Sequence, residues 1–242
     1  MKLAMICTSC AKDPNHKGPV FTLMDPRDDG MYEFTCPQNH KNTVALQEQK
    51  FEIFYDAGLF AIVDEYYRDA VVSFAASVER FHEFAIRVMM EEASGEEQLY
   101  QECWKKVANQ SERQLGAFIF LWAQRFKARP ALLKEEPDIK FRNAVVHKGK
   151  FANQIESIEF AKAVLDVLQQ NVAVLLEHAL ESVRKVVQRD LAKLRRAGAG
   201  ETIATMSMAT LVSLNCKWDP PMTFDRYLSY VRQLPGVWQR RP

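Results

Sequence analysis

Apolar residues recur at three- and four-residue steps from about Thr43 almost to the end of the chain, the spacing that gathers them on one face of an α-helix. The pattern predicts a first helix over about Thr43–Val63, burying Phe51, Phe54, Tyr55, Leu59 and Ile62. A second, over about Tyr67–Glu92, carries Val71, Phe74, Ala75, Val78, Phe81, Ala85, Val88 and Met89 as its buried stripe. Ser94-Gly95-Glu96-Glu97 is a break. Helices then follow over about Glu97–Asn109 and Ser111–Lys127, the latter turning Leu115, Phe118, Ile119, Trp122 and Phe126 inward. Arg129-Pro130 ends that helix. Pro137-Asp138 opens a short one, because proline suits a first helical turn. From Asn153 one long helix is expected to about Arg196. Its first half is apolar on nearly every side, which predicts a central place in the core. Its second half is basic, with Arg184, Lys185, Arg189, Lys193, Arg195 and Arg196, and Ala197-Gly198-Ala199-Gly200 breaks it. Thr202–Cys216 is β-prone and could add a strand, and Phe224–Leu234 reads as a last short helix.

Residues 1 to about 43 follow a different rule. Two strand-like runs, Val20–Leu23 and Tyr32–Thr35, flank the turn-rich Asp25–Gly30 and predict a hairpin. This segment holds three of the five cysteines and two of the five histidines. Cys7-Thr8-Ser9-Cys10 and Cys36-Pro37-Gln38-Asn39-His40 form two close-spaced ligand pairs. Structural zinc sites are commonly built from two such pairs, whose thiolate and imidazole donors close a tetrahedron. The expected ligands are Cys7, Cys10, Cys36 and His40, with His16 a rival for the fourth place. Free thiols in a loop are the alternative, but so short and polar a segment has little core to fold on without metal. The phrase "FTCPQNH" resembles the second knuckle of small zinc ribbons, with a C-x3-H pair in place of C-x2-C. No thioredoxin-like βαβ pattern surrounds Cys7 and Cys10, so a redox role is disfavoured. Cys103 and Cys216 read as packing thiols.

Composition narrows the functional classes. The chain has 242 residues, 48% of them hydrophobic and 26% charged, as expected of an ordinary globular protein. A formal charge of +1 argues against a generic polyanion binder, so contact with nucleic acid must come from local patches. The basic face from Arg184 to Arg196 is one such patch, with Glu181 and Asp190 interleaved. No apolar run reaches the roughly 18 residues of a membrane span. An odd cysteine count without secretory context predicts a reducing, cytoplasmic setting.

The most informative stretch is Phe141-Arg142-Asn143-Ala144-Val145-Val146-His147-Lys148-Gly149. Arg142 is a permanent cation able to grip a phosphate with two prongs, and His147 can exchange a proton near neutral pH. Asn143 and His147 are four apart and share a helix face, and Gly149 suits a helix-ending position. Lys148 and Lys150 stand beside the motif as candidate phosphate contacts.

This string, Arg-Asn followed by three residues and His inside "FRNAVVHKGKF", resembles the R-x4–6-H signature of HEPN domains, the helical domains of many bacterial ribonuclease toxins and phage-defence proteins. The resemblance covers about Phe51 to the mid-180s. It implies a mostly α fold, a HEPN-like helical bundle over 44–197, preceded by a zinc-ribbon-like β-hairpin module over 1–43 and followed by a C-terminal extension over 198–242. It further implies a metal-independent endoribonuclease acting at a homodimer interface on RNA, with Arg142, Asn143 and His147 in the site. Glu79 sits where such proteins often place an acidic residue facing the motif arginine, and His82, one helical turn on, could join it. The zinc would be structural. A cognate antitoxin or defence partner fits the same family. The alternative is a HEPN-type module that binds RNA, nucleotide or protein without catalysis.

Overall fold

A computed structural model describes residues 1–14, 18–197, 203–215 and 221–233. The protein is mostly helical, with two small sheets. It divides into two compact units. The first comprises the described residues of Met1–Glu48, Val187–Ala209 and Arg232–Pro242, and the second those of Gln49–Val186 and Thr210–Val231.

In the first unit, β1 (Leu3–Ile6) and β2 (Phe21–Met24) form an antiparallel pair, with the short helix α1 (Thr8–Lys12) in the loop between them. β3 (Met31–Thr35) pairs antiparallel with β4 (Lys41–Leu46), and β5 (Ile203–Met206) adds to β4 in parallel. The strand runs expected at 20–23 and 32–35 are present within a residue or so. They do not form a hairpin with each other. Each pairs instead with the strand joined to it through a cysteine knuckle, β2 with β1 across residues 7–20 and β3 with β4 across the shorter 36–40. That turn carries the chain from one ladder to the other, with Gly30 at φ 67° and Arg27 paired to Asp29 at 2.5 Å.

The helix expected from Thr43 begins later. Thr43–Leu46 belong to β4, where pairing to β3 on one side and β5 on the other prevails over the helical pattern. The second unit opens with α2 (Lys50–Val63), whose first turn is closed by the Gln49 amide donating to Glu52 Oε2 at 2.7 Å. α3 (Tyr67–Ser94) follows, then α4 (Glu97–Val107) and α5 (Ser111–Phe126). A loose turn over Glu135–Ile139 leads into the short α6 (Lys140–His147), so Pro137 lies ahead of this helix rather than in its first turn. The expected long helix is two. α7 (Gln154–His178) stops at Ala179, whose φ/ψ of −138°/24° is not helical, and α8 (Leu180–Ala197) starts afresh. Asn153 caps α7, accepting from the Glu156 amide at 3.0 Å while Glu156 Oε2 accepts from the Asn153 amide at 3.1 Å.

The predicted stripe of α3 is wholly buried, from Val71 to Met89. α2 departs from expectation. Phe51, Tyr55, Leu59 and Ile62 are buried, but Phe54 is exposed and two carboxylates, Glu52 and Asp56, are buried in its stead. They are held by hydrogen bonds from further along the chain: Leu214 N–H donates to Glu52 Oε1 at 2.9 Å, and Tyr227 O–H to Asp56 Oδ2 at 2.7 Å. Tyr227 belongs to the last helix, α9 (Phe224–Gln233). The residues expected as an extension are thus divided, β5 in the first unit's sheet and 210–231 in the second unit. The glycine-rich break at 198–200, with Cys216, lies outside the described residues.

α2 and α3 meet most closely at Gly58. A Cβ there would lie 2.5 Å from the Phe74 ring, a contact that must be relieved by movement. Gly58→Ala is therefore expected to lower unfolding free energy by about 1–3 kcal/mol, measured by denaturant unfolding, despite alanine's better helix propensity.

Candidate functional site

Two clusters of chemically capable side chains stand out, one in each unit. In the first, the two knuckles sit at the tips of the two antiparallel ladders. Cys7 caps α1, its N–H donating to Val20 O at 2.9 Å and its sulfur accepting from the Cys10 amide at 3.4 Å. The second knuckle closes through Cys36 N–H to His40 O at 3.0 Å and Asn39 N–H to Cys36 O at 2.8 Å, with Asn39 at φ 63°. These turns bring all four expected ligand atoms within 4.8 Å of one another. Cys10 Sγ lies 3.9 Å from Cys36 Sγ, and His40 Nδ1 lies 3.8, 3.3 and 3.7 Å from the sulfurs of Cys7, Cys10 and Cys36. A tetrahedron with arms of about 2.3 Å has edges of about 3.8 Å, so the four donors fit one metal ion. The three cysteines are buried and His40 is exposed. His16 lies outside the described residues.

Burial and the neighbouring thiols push the Cys10 thiol up. At Cys7 burial acts the same way, but bonds from the Cys10 amide and Asn42 outweigh it and lower the thiol. Asn42 is a residue the sequence did not single out. It is buried, donates to Cys7 Sγ at 3.4 Å and to His40 O at 2.9 Å, and accepts from the Thr8 amide at 3.0 Å, so one amide side chain ties both knuckles.

The second cluster surrounds a cavity of about 510 Å³ in the helical unit. Phe141 and Val145 anchor α6. Val145 is fully buried, and the Phe141 ring lies 5.7 Å from that of Phe160 on α7. Gly149, at φ 73°, ends the helix, with the Lys150 amide reaching back to Ala144 O at 3.0 Å. Arg142, Asn143 and His147 all line the cavity, as do Glu79 and His82 from α3. Arg142 Nη2 donates to Glu79 Oε1 across the two helices, and Nη1 donates to Asn143 Oδ1 at 2.9 Å. Asn143 thus holds the arginine; among the described residues it makes no bond to His147. His147 is exposed.

Lys150 pairs with Glu156 at 2.5 Å and lies over the Phe141 ring, which occupies it locally. On α8, Arg184 bonds Glu181 at 2.9 Å, and the side chains of Arg195 and Arg196 are outside the described residues. His82 is buried and stacks on Phe118, centroids 4.6 Å apart and planes at 23°. Its Nε2 has no hydrogen-bond partner among the described residues. Burial, with Arg80 nearby, lowers its pKa to about 4.

No family model, no curated protein and no solved structure matches this chain. Among the described residues no helix is long and apolar enough to cross a membrane.

Two measurements follow from this geometry. Metal analysis of protein purified without chelator should find about one ion per chain, and Cys36→Ser should lose it, since three ligands remain of a four-ligand site. For His82, the folded state disfavours the proton that the unfolded chain accepts below its ordinary value of 6.5. Its contribution to stability is complete above that value and is lost as pH falls toward 4. Between pH 7 and 4 the wild type should lose about 3 kcal/mol more than His82→Phe, whose phenyl ring has no proton to take up. Denaturant midpoints across that range measure the difference.

Proposed function

We propose that the cavity lined by Arg142, Asn143, His147 and Glu79 is the site of a HEPN-type, metal-independent endoribonuclease, completed by a second copy of the chain. The observation that carries this reading is the gathering of all four residues around one opening, with the guanidinium fixed by Glu79 and Asn143. An arginine has five N–H donors, so a guanidinium that gives one to Glu79 and one to Asn143 keeps others for a phosphate. Cleavage of RNA without metal requires removal of the 2′-hydroxyl proton, attack of that oxygen on phosphorus, and protonation of the departing 5′-oxygen. The products are a 2′,3′-cyclic phosphate and a 5′-hydroxyl. In this reading His147 transfers the proton, Arg142 stabilises the charge on the phosphate, and Asn143 and Glu79 hold Arg142 in place. A single chain brings one motif histidine. A two-fold dimer brings two, one for each proton. Abortive defence or toxin action, under control of an antitoxin or defence partner, is the setting such chemistry suits.

The knuckle cluster is assigned to structural zinc. Three thiolates and an imidazole are soft or borderline donors that close all four positions and leave none for substrate.

One observation favours a second reading, a non-catalytic HEPN-type RNA- or nucleotide-binding module. His147 is exposed and, among the described residues, makes no hydrogen bond or ion pair with a carboxylate to set its tautomer, unlike Arg142, which is held on two sides.

Cleavage assays on RNA in EDTA separate the two. His147→Ala and Arg142→Ala should each lower the rate by about 10²–10⁴-fold with unfolding midpoints near wild type. Arg142→Lys should also be strongly impaired, since lysine keeps the charge but loses the planar fork. Near-wild-type cleavage by His147→Ala would leave the binding reading. Light scattering at micromolar concentration should give a dimer, and a monomer that still cleaves would remove the composite site.

A further inference from the structure

The motif residues account for only part of the cavity. The rest is apolar, lined by Val78, Leu115, Leu132, Leu133 and Val167, with the His82 imidazole among them. Gripping a phosphate needs none of these residues. A volume of about 510 Å³ falls among sites that enclose a small organic ligand, mostly apolar with a few placed polar groups.

We propose that this apolar part is a nucleobase subsite, in which His82 hydrogen-bonds the edge of the base whose phosphate Arg142 holds. The inference rests on reading the Arg142 side of the cavity as an RNA phosphate site. Buried ring nitrogens in folded proteins are nearly always hydrogen-bonded, yet His82 Nε2 has no partner among the described residues. Stacking on the buried Phe118 fixes the plane of the imidazole while leaving its edge to be satisfied. Nε2 is enclosed as the ring stands, and a half-turn about χ2, which exchanges ring nitrogen for ring carbon without changing the ring's shape, carries it to the ring's other edge. Lowered basicity keeps the ring uncharged near pH 7, one nitrogen donating and the other accepting. That is the pattern base edges present, and it adds no charge to attract a second phosphate. Glu112 and Glu135 also line the cavity. Their carboxylates only accept hydrogen bonds, which favours bases carrying an exocyclic amine over uracil.

The test is calorimetric titration of the full chain with 5′-AMP, 5′-CMP, 5′-UMP and ribose 5-phosphate. AMP or CMP should bind at least about tenfold tighter than ribose 5-phosphate, with UMP between. In His82→Phe, which keeps the stacked ring, that margin should shrink below about threefold while ribose 5-phosphate binds as before. Equal affinity for AMP, CMP and ribose 5-phosphate in the wild type overturns the subsite, and an unchanged margin in His82→Phe overturns the role of His82. Should that variant fail to fold, the His82 imidazole resonances of the wild type decide. They should move with AMP or CMP and stay fixed with ribose 5-phosphate; no movement overturns the proposal. Base-dependent binding without RNA cleavage would keep the subsite and reject the nuclease, and cleavage without base-dependent binding would do the reverse.

Discussion

The helical unit depends on how one helix is buried. α3 is 28 residues long, and α2, α5, α6 and α7 all pack on it. A helix with so many neighbours must be apolar over more than one stripe, and buried positions such as Ser77, Phe84 and Ile86 lie outside the Val71–Met89 row. A charge at such a surface needs a partner. Glu79 lies at the border of the stripe where α6 crosses, and Arg142 meets it there. A partly exposed ion pair of this kind contributes little to stability, about 0–1 kcal/mol. Its effect is geometric: it restricts the rotamer of a long side chain and so fixes which donors point into the cavity.

The first unit is governed by a different shortage. Its strands are four to six residues long, and its buried side chains are few beside those of the helical unit. Two-stranded ladders of that length are marginal by themselves. The knuckles compensate by placing four donors around one point, and Asn42 links them through the backbone of one and the sulfur of the other. Fold and ligand set are therefore the same problem here, since the ladders set the donors and the donors join the ladders.

Helical periodicity was readable because it is local: the α3 stripe matches position by position, and the Asn153 cap and Gly149 terminus follow from single residues. The gathering of the four knuckle side chains was readable from spacing for the same reason. What was hidden depends on partners distant in sequence. Phe54 faces solvent because Glu52 and Asp56 are drawn inward by Leu214 and Tyr227, and no pattern within α2 announces that. Thr43–Leu46 is a strand because Ile203–Met206 lies beside it. The pairing of β2 with β1 rather than β3 joins strands fourteen residues apart, which strand propensity does not report. Asn42 looks like any strand-end polar residue until both knuckles are in place. The motif residues were visible as a string. That Asn143 holds the arginine, and not the histidine, was not.

The parallel pairing of β4 with β5 also sets an order of events during synthesis. Thr43 is matched to Ile203, so the ribosome must add α2 through α8 before β4 acquires its second neighbour. Until then one edge of β4 is open, with amides and carbonyls able to template another strand. The Cys/His cluster can assemble early because its four residues all lie before Asn42, but it cannot cover that edge. Chains stalled before residue 203 would carry knuckles already closed beside an unsatisfied strand, a state prone to pairing between nascent chains.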